Sequence, residues 1–192
     1  MEEKNNFYEE KFAGIDYQNQ KFKTGEYENC SFNNCQFTNV DLSGSSFIDC
    51  EFIKCDLSNT KIVETSFREV KFKSCKLLGM QFEQCNKLII SIDFEDCRLN
   101  MSSFYELKLH KTNFVKCDLS EAYFAKADLT NSKFDECDLS KAVFDNTNLT
   151  KCDLSTSFNY TIDPEQNIIT KAKFSLPGIS GLLHKYDIII KQ

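Results

Sequence analysis

The chain of 192 residues has no tryptophan, only six glycines and only two prolines. Both prolines, Pro164 and Pro177, come late, so composition itself marks a boundary near residue 158. No glycine lies between Gly79 and Gly178, which removes the Gly-Gly-x-Gly-x-Asp rolls that bind calcium. No run approaches the roughly 18 to 20 apolar residues of a membrane-spanning helix. The start, Met1-Glu2-Glu3-Lys4-Asn5-Asn6, lacks the basic opening and apolar stretch of a secretory signal, so the expectation is a cytoplasmic protein with no membrane contact. No Cys-x-x-Cys pair occurs among the ten cysteines, and zinc ribbons and redox motifs lose their signature. Ser-His-Asp and His-Glu-x-x-His sets, phosphate-cradling glycine loops and dinucleotide fingerprints are absent as well. The net charge of −6, with no basic stripe, argues against direct nucleic-acid binding. The expectation is therefore a protein that is not an enzyme, with no cofactor and no metal.

What is present is a period. From Phe94 to Leu154 a large apolar residue falls on every fifth position, thirteen times without a miss. Phe104, Leu109, Phe114, Leu119 and Phe124 form its middle, and the filler is small and polar, as in Cys117-Asp118-Leu119-Ser120. Five matches neither the 3.6 of an α-helix nor the 2 of a flat strand. It requires a backbone that turns a corner every five residues and brings the same position inward each time. The same period runs from Phe7 to Phe82 in a different phase, over sixteen consecutive centres. Phe82 to Phe94 is twelve residues, two units plus two, so residues 83–93, with Asn86-Lys87-Leu88-Ile89-Ile90 at their middle, contain a register break of the kind a bulge or short loop supplies.

All ten cysteines occupy the slot two before a repeat centre, a slot otherwise filled mainly by Ala, Ser, Thr and Val. Cysteine here reads as a small buried hydrophobe. It recurs at 35, 55 and 75 and again at 97, 117 and 137. Twenty residues, four units, is thus the repeat of the repeat. Sorting by twenty gives coherent columns, among them Phe104, Phe124 and Phe144. Each column is a ladder stacked at the strand spacing of about 4.8 Å.

The tandem pattern of small residue, Asp/Asn, Leu/Phe, Ser/Thr and a free position resembles the pentapeptide-repeat family, over residues 20–158 and more loosely over 7–20. The resemblance implies an all-β solenoid, a right-handed quadrilateral β-helix. It also implies a class of function. Qnr-like quinolone-resistance proteins and the immunity proteins of gyrase-poison producers protect type II topoisomerases, as acidic dimeric rods of roughly duplex-DNA width. This chain shares the length, acidity and array, lacks the long loop insertions of several such members, and carries mixed charge.

The expected organisation is a β-helix over residues 7–158, in blocks 7–82 and 94–157, followed by a C-terminal cap and dimerisation segment over 159–192. Asp163-Pro164-Glu165 reads as a turn. Ser175 offers an N-cap to a short α-helix whose Leu176, Ile179, Leu182, Leu183 and Tyr186, with Ile188 beyond, form an apolar face for capping or for a homodimer interface. His110 and His184 read as solvated surface residues. Asp118 over Asp138, and Asp128 over Asn148, should stack one coil apart; stacked carboxyls can raise one pKa or bind a cation, but the column reads first as part of the repeat's own pattern, solvated among lysines. Two functions remain open. One is a DNA-mimicking effector of DNA gyrase or topoisomerase IV that protects against quinolones or toxins, for which at least one face should be continuously negative. The other is a scaffolding solenoid with an unrelated protein partner.

Overall fold

The structure, a computed structural model, describes residues 5–88 and 90–191. Ten short strands form one parallel sheet that coils on itself. They are β1 (Asn5–Tyr8), β2 (Lys11–Ala13), β3 (Gly25–Glu28), β4 (Ser31–Asn33), β5 (Ser46–Ile48), β6 (Glu51–Ile53), β7 (Ser66–Lys73), β8 (Ile90–Glu95), β9 (Asn113–Val115) and β10 (Lys133–Asp135). Isolated parallel bridges such as Asp118 to Asp138 and Asp128 to Asn148 continue the ladder between them at an offset of twenty. The molecule is a β-solenoid, and each coil uses four units. We name its faces by their inward centres: face A by Phe12, Phe32 and Phe52, face B by Tyr17, Phe37 and Leu57, face C by Phe22, Leu42 and Ile62, and face D by Phe7, Tyr27 and Phe47.

The shaft is dry and aromatic. Phe104, Phe124 and Phe144 stack with ring centroids 4.9 and 5.2 Å apart and planes within 11° of parallel. Phe114 and Phe134 on the opposite face meet Phe124 edge-on, at 88° and 87°. Parallel stacking along a column and T-shaped contact between columns are the two arrangements that the aromatic quadrupole favours. A single unit could bury no ring; neighbours stacked above and below bury all of them.

The small slot does more than fill space. The Cys55 thiol donates to the Phe32 carbonyl at 3.3 Å, Cys75 to Phe52 at 3.3 Å and Cys137 to Phe114 at 3.3 Å. Thr60 and Thr147 hydroxyls donate in the same way to Phe37 and Phe124 at 2.8 and 2.9 Å, and Ser157 to Phe134 at 2.9 Å. A buried carbonyl at every corner has two lone pairs to satisfy. Cys, Ser and Thr are the side chains that are both small enough and able to donate. The expectation of an apolar role for cysteine therefore covered half of its chemistry. All ten cysteines are buried free thiols, and burial pushes Cys50, Cys85 and Cys152 up to about 12.

Corners are closed by left-handed residues two after each centre. Among the described residues twenty-five other than glycine have positive φ, including Glu121 at 60°, Lys126 at 57° and Asn131 at 60°. The strain is held there by the ladders on both sides. At Asn131, glycine should be neutral or slightly stabilising, whereas valine should cost on the order of 1–2 kcal/mol in chemical denaturation. Equal stability of the two variants would contradict the corner geometry.

The register break is local. Phe67 pairs with Ile90 and Val70 with Ile92, so three steps on β7 face two on β8. From there the offset between these coils is 22, as in Phe72 to Phe94 and Gln81 to Ser103, and it returns to twenty at Arg98 to Asp118. The turn after Asn86 adds three residues, of which the bulge on β7 takes one back; the Asn86 side chain accepts from the Leu88 N–H at 3.1 Å, and Leu88 is 91% exposed. Ile89 lies outside the described residues.

Stacking also runs past residue 158. Asn148 bridges to Ile168 and Asp153 to Lys173, and Ile169 and Phe174 pack against the core. The chain leaves the coil around Asp163-Pro164 and re-enters it at the same offset of twenty, adding two units after the apolar pattern lapses at Asn159 and Pro164. Beyond them the expected α-helix is replaced by two 3-10 turns, Pro177–Leu182 and His184–Tyr186. Ser175 does accept the Gly178 N–H, at 3.1 Å. With Pro177, Gly178 and Gly181 in a segment this short, an α-helix gains too few hydrogen bonds to form, and 3-10 turns replace it.

Candidate interaction surface

Three features of the outer surface have chemical content. The first is the charged ladder. From Leu119 onward the position before each leucine centre carries Asp or Asn and the position after it Ser or Thr. Asp118 Oδ1 accepts from the Ser120 N–H at 3.1 Å and the Ser120 hydroxyl at 2.6 Å. Asp138 with Ser140, Asp153 with Ser155 and Asp128 with Thr130 repeat this geometry. The stacking of Asp118 on Asp138 and of Asp128 on Asn148 is present, and it raises neither Asp118 nor Asp128. Burial pulls Asp118 up, yet bonds from Ser120 and Asn100 and the Arg98 charge outweigh it and hold the carboxyl below its usual value. Asp128 is lowered likewise, burial being outweighed by Thr130 and His110.

Asp153 is held at about 2 by the Ser155 hydroxyl first and then by the Ser155 N–H and Lys173. A carboxyl depressed on folding contributes stability above its unfolded value, here 3.8, and that contribution is lost as pH falls toward 2. Ser155→Ala should shrink the loss of stability between pH 4 and pH 2 relative to the parent. Identical acid-unfolding curves would refute the assignment.

Across coils, opposite charges face each other: Lys76 and Asp56 at 3.5 Å, Lys126 and Glu106 at 3.3 Å, Lys173 and Asp153 at 3.0 Å. His110 Nε2 lies 2.8 Å from Asp128 Oδ2, on the surface as expected, and His184 is exposed on the second 3-10 turn. The consequence for the whole surface is alternation. The column Lys11, Ser31, Glu51, Lys71, Asp93, Asn113, Lys133, Asp153, Lys173 on face A shows it most plainly. Among the described residues no face is continuously negative.

The second feature is the C-terminal end. Of the six residues expected at an interface, Leu182 turns inward and packs on the core, and Leu183 is half-buried. Leu176 is 84% exposed, and Ile179, Tyr186 and Ile188 are exposed too. Tyr186 donates to Glu165 Oε1 at 2.8 Å, and Lys185 bridges Asp163 and Glu165 at 2.8 and 2.6 Å. These contacts tie the turns to the loop at Asp163. Tyr160, buried on the last coil, is the seat on which Gly178 and Gly181 rest.

The third feature lies in the middle of the rod and the sequence reading missed it. Between Glu9 and Ser157 the exposed large apolar residues are Val63, Leu88, Met101, Tyr123 and Val143. All five lie on face C or its two corners. The sequence signal exists, since each is an outward position in one column set, but it appears only after residues are sorted by face.

A parallel solenoid of five-residue units with this slot chemistry is a recognisable class of protein. The chain belongs to the pentapeptide repeat family: the family model described as a pentapeptide repeat region matches residues 25–88 and 89–158. No curated protein sequence matches it. Among solved structures, a trypsin-treated variant of QnrB1, described as a plasmid-mediated fluoroquinolone resistance protein, is 21% identical over 98% of this chain and 92% of its own, with a TM-score of 0.57. HetL from the cyanobacterium Nostoc sp., described as involved in heterocyst differentiation regulation, is 15% identical over 88% of this chain and 85% of its own, with a TM-score of 0.48. At these identities the likeness to QnrB1 is one of fold. No helix of the described residues is long and apolar enough to cross a membrane.

Proposed function

We propose that this protein is a non-catalytic, protein-binding solenoid, a rigid rod that presents one specialised face to a protein partner. The observation that carries this reading is the clustering on face C and its corners of the exposed apolar side chains of the middle coils, those of Tyr8, Phe158 and Ile168 lying on other faces toward the two ends. Contiguous exposed apolar surface marks interaction sites, and between Glu9 and Ser157 the described residues of faces A, B and D expose no large apolar side chain away from the corners of face C. The alternating ladders also bear on the choice between the two functions the sequence leaves open. Mimicry of duplex DNA calls for a continuously negative face, and cross-coil pairs such as Lys126 with Glu106 interrupt each one. The charge pattern therefore favours a protein partner other than the DNA-binding saddle of gyrase or topoisomerase IV.

Two measurements test this. Immobilised protein should capture a discrete partner from source-cell lysate, Val63→Asp with Tyr123→Asp should abolish capture, and Ile53→Asp on face A should not. Equal capture by both variants would remove face C from the reading. In a supercoiling assay, micromolar protein should neither inhibit gyrase nor relieve its block by ciprofloxacin; protection would reinstate the mimic.

The C-terminal end is proposed as a homodimer contact through Leu176, Ile179, Tyr186 and Ile188, with Leu182 and Leu183 serving the cap. Light scattering should give a dimer for the parent and a monomer for the Leu176→Ser, Ile188→Ser double variant. A monomeric parent would end that proposal.

A further inference from the structure

The partner face contains one group with no counterpart inside the molecule. Glu83 follows Phe82 on face C, between Val63 on the coil before and Tyr105 on the coil after. Its Oε2 is buried and has no hydrogen-bond partner among the described residues. The side chain lines two grooves at once. One, of about 460 Å³, runs past Val63 and Leu88, and the other, of about 550 Å³, past Met101, Tyr105 and Tyr123. A buried carboxylate oxygen without a donor is unfavourable, whereas the carboxylates of Asp118, Asp128 and Asp153 each accept from a hydroxyl two residues on.

We infer that Glu83 is the receptor for an arginine side chain of the partner protein, held between the carboxylate and the Tyr105–Tyr123 pair with apolar contacts on either side. This inference rests on face C being the partner-binding face. The two tyrosine rings lie 6.0 Å apart with planes 28° from parallel, a flat surface on the wall of the second groove. Guanidinium is the cation suited to it: planar, weakly hydrated, able to stack on an aromatic ring while donating to a carboxylate.

The other charges nearby are engaged or opposed. Lys126 is committed to the Tyr105 hydroxyl at 2.9 Å and Glu106 at 3.3 Å. Glu64 lines the first groove and adds negative charge, and Lys87, exposed on the turn, sets a positive charge against it. The Val63 and Leu88 side chains on one side and Met101 on the other supply the apolar flanks. A metal ion lacks the donors to sit there, since no group of three or more His, Cys, Asp or Glu that could hold one occurs among the described residues.

The probe is the capped tripeptide acetyl-Leu-Arg-Leu-amide, titrated into the full-length 15N-labelled protein and followed by amide chemical shifts. Saturable shifts should appear at Val63, Glu83, Tyr105 and Tyr123 and stay off faces A and D. Replacing arginine by its neutral isostere citrulline should weaken binding by about tenfold, as expected for a lost charge-assisted bond. Glu83→Gln should do the same, and Tyr105→Ala, a surface change that leaves the core intact, should weaken it too. Equal affinity of the citrulline peptide, or of Glu83→Gln with an unchanged melting curve, would overturn the inference. So would shifts scattered over all four faces. Capture of a protein partner through face C that survives Glu83→Gln would sink the arginine site alone and leave the proposed function standing.

Discussion

Phe124→Ala should cost about 3–5 kcal/mol in equilibrium denaturation, the largest effect expected of any single substitution in the coil. The ring is fully buried. It stacks between Phe104 and Phe144 and takes edge contacts from Phe114 and Phe134, so its removal breaks two columns at once. The backbone cannot collapse onto the void, because ladder bonds such as Phe124 N–H to the Val143 carbonyl at 2.8 Å fix the coil spacing. Phe124→Leu should cost well under half as much, since leucine already serves as a centre at Leu119 and Leu129. A loss of less than about 1.5 kcal/mol for Phe124→Ala would mean that coils move together freely, against the close-packed behaviour of protein interiors.

Gly181→Ala should unseat the C-terminal turns. A Cβ at that position would run into the Tyr160 carbonyl oxygen and come within 3.0 Å of its ring. The obstacle is backbone, so no rotamer relieves it. The Ile162 N–H, which donates to the Gly181 carbonyl at 3.1 Å, would lose its acceptor in the same event. Overpacking of this kind costs typically about 1–3 kcal/mol. The readout is amide exchange: protection should fall from Ile162 to Tyr186, while Leu119 and Leu129 in mid-coil stay protected. Unchanged exchange at Ile162 would show that the turns do not depend on this contact. Because the seat lies beneath the exposed Leu176 and Ile188, the same substitution should lower any self-association through that end.

How much of this could be read from the chain depends on which residue carries each feature. Phe94 to Leu154 announces a five-residue coil because each inward position needs a large side chain and tolerates little else. The slip is legible for the same reason, as a count that fails by two between Phe82 and Phe94. The last two units are masked because Asn159 and Pro164 stand where centres should be, although Ile169 and Phe174 resume the five-residue count and lie twenty after Leu149 and Leu154. The left-handed corners are invisible in sequence, since the ladder imposes their conformation and solvent leaves their identity free, so that Lys126, Glu121 and Asn131 serve equally. Asp118 is held below its usual value by a contact internal to the repeat unit, the hydroxyl of Ser120 two residues on, which is closer than the stacked carboxylate. Glu83 is one glutamate among many until the fold shows which oxygen lacks a donor.

The sulfur column gives the rod a built-in gauge. Cys35, Cys55, Cys75, Cys97, Cys117 and Cys137 are all buried and place one thiol in each of six successive coils on face B. An alkylating reagent reaches such a thiol only when its coil opens. Rates of labelling, resolved site by site by mass spectrometry, therefore read out the opening free energy along the axis without any added probe. The coil interrupted at Asn86 should label sooner than its neighbours through Cys85, and Cys117 should be among the last.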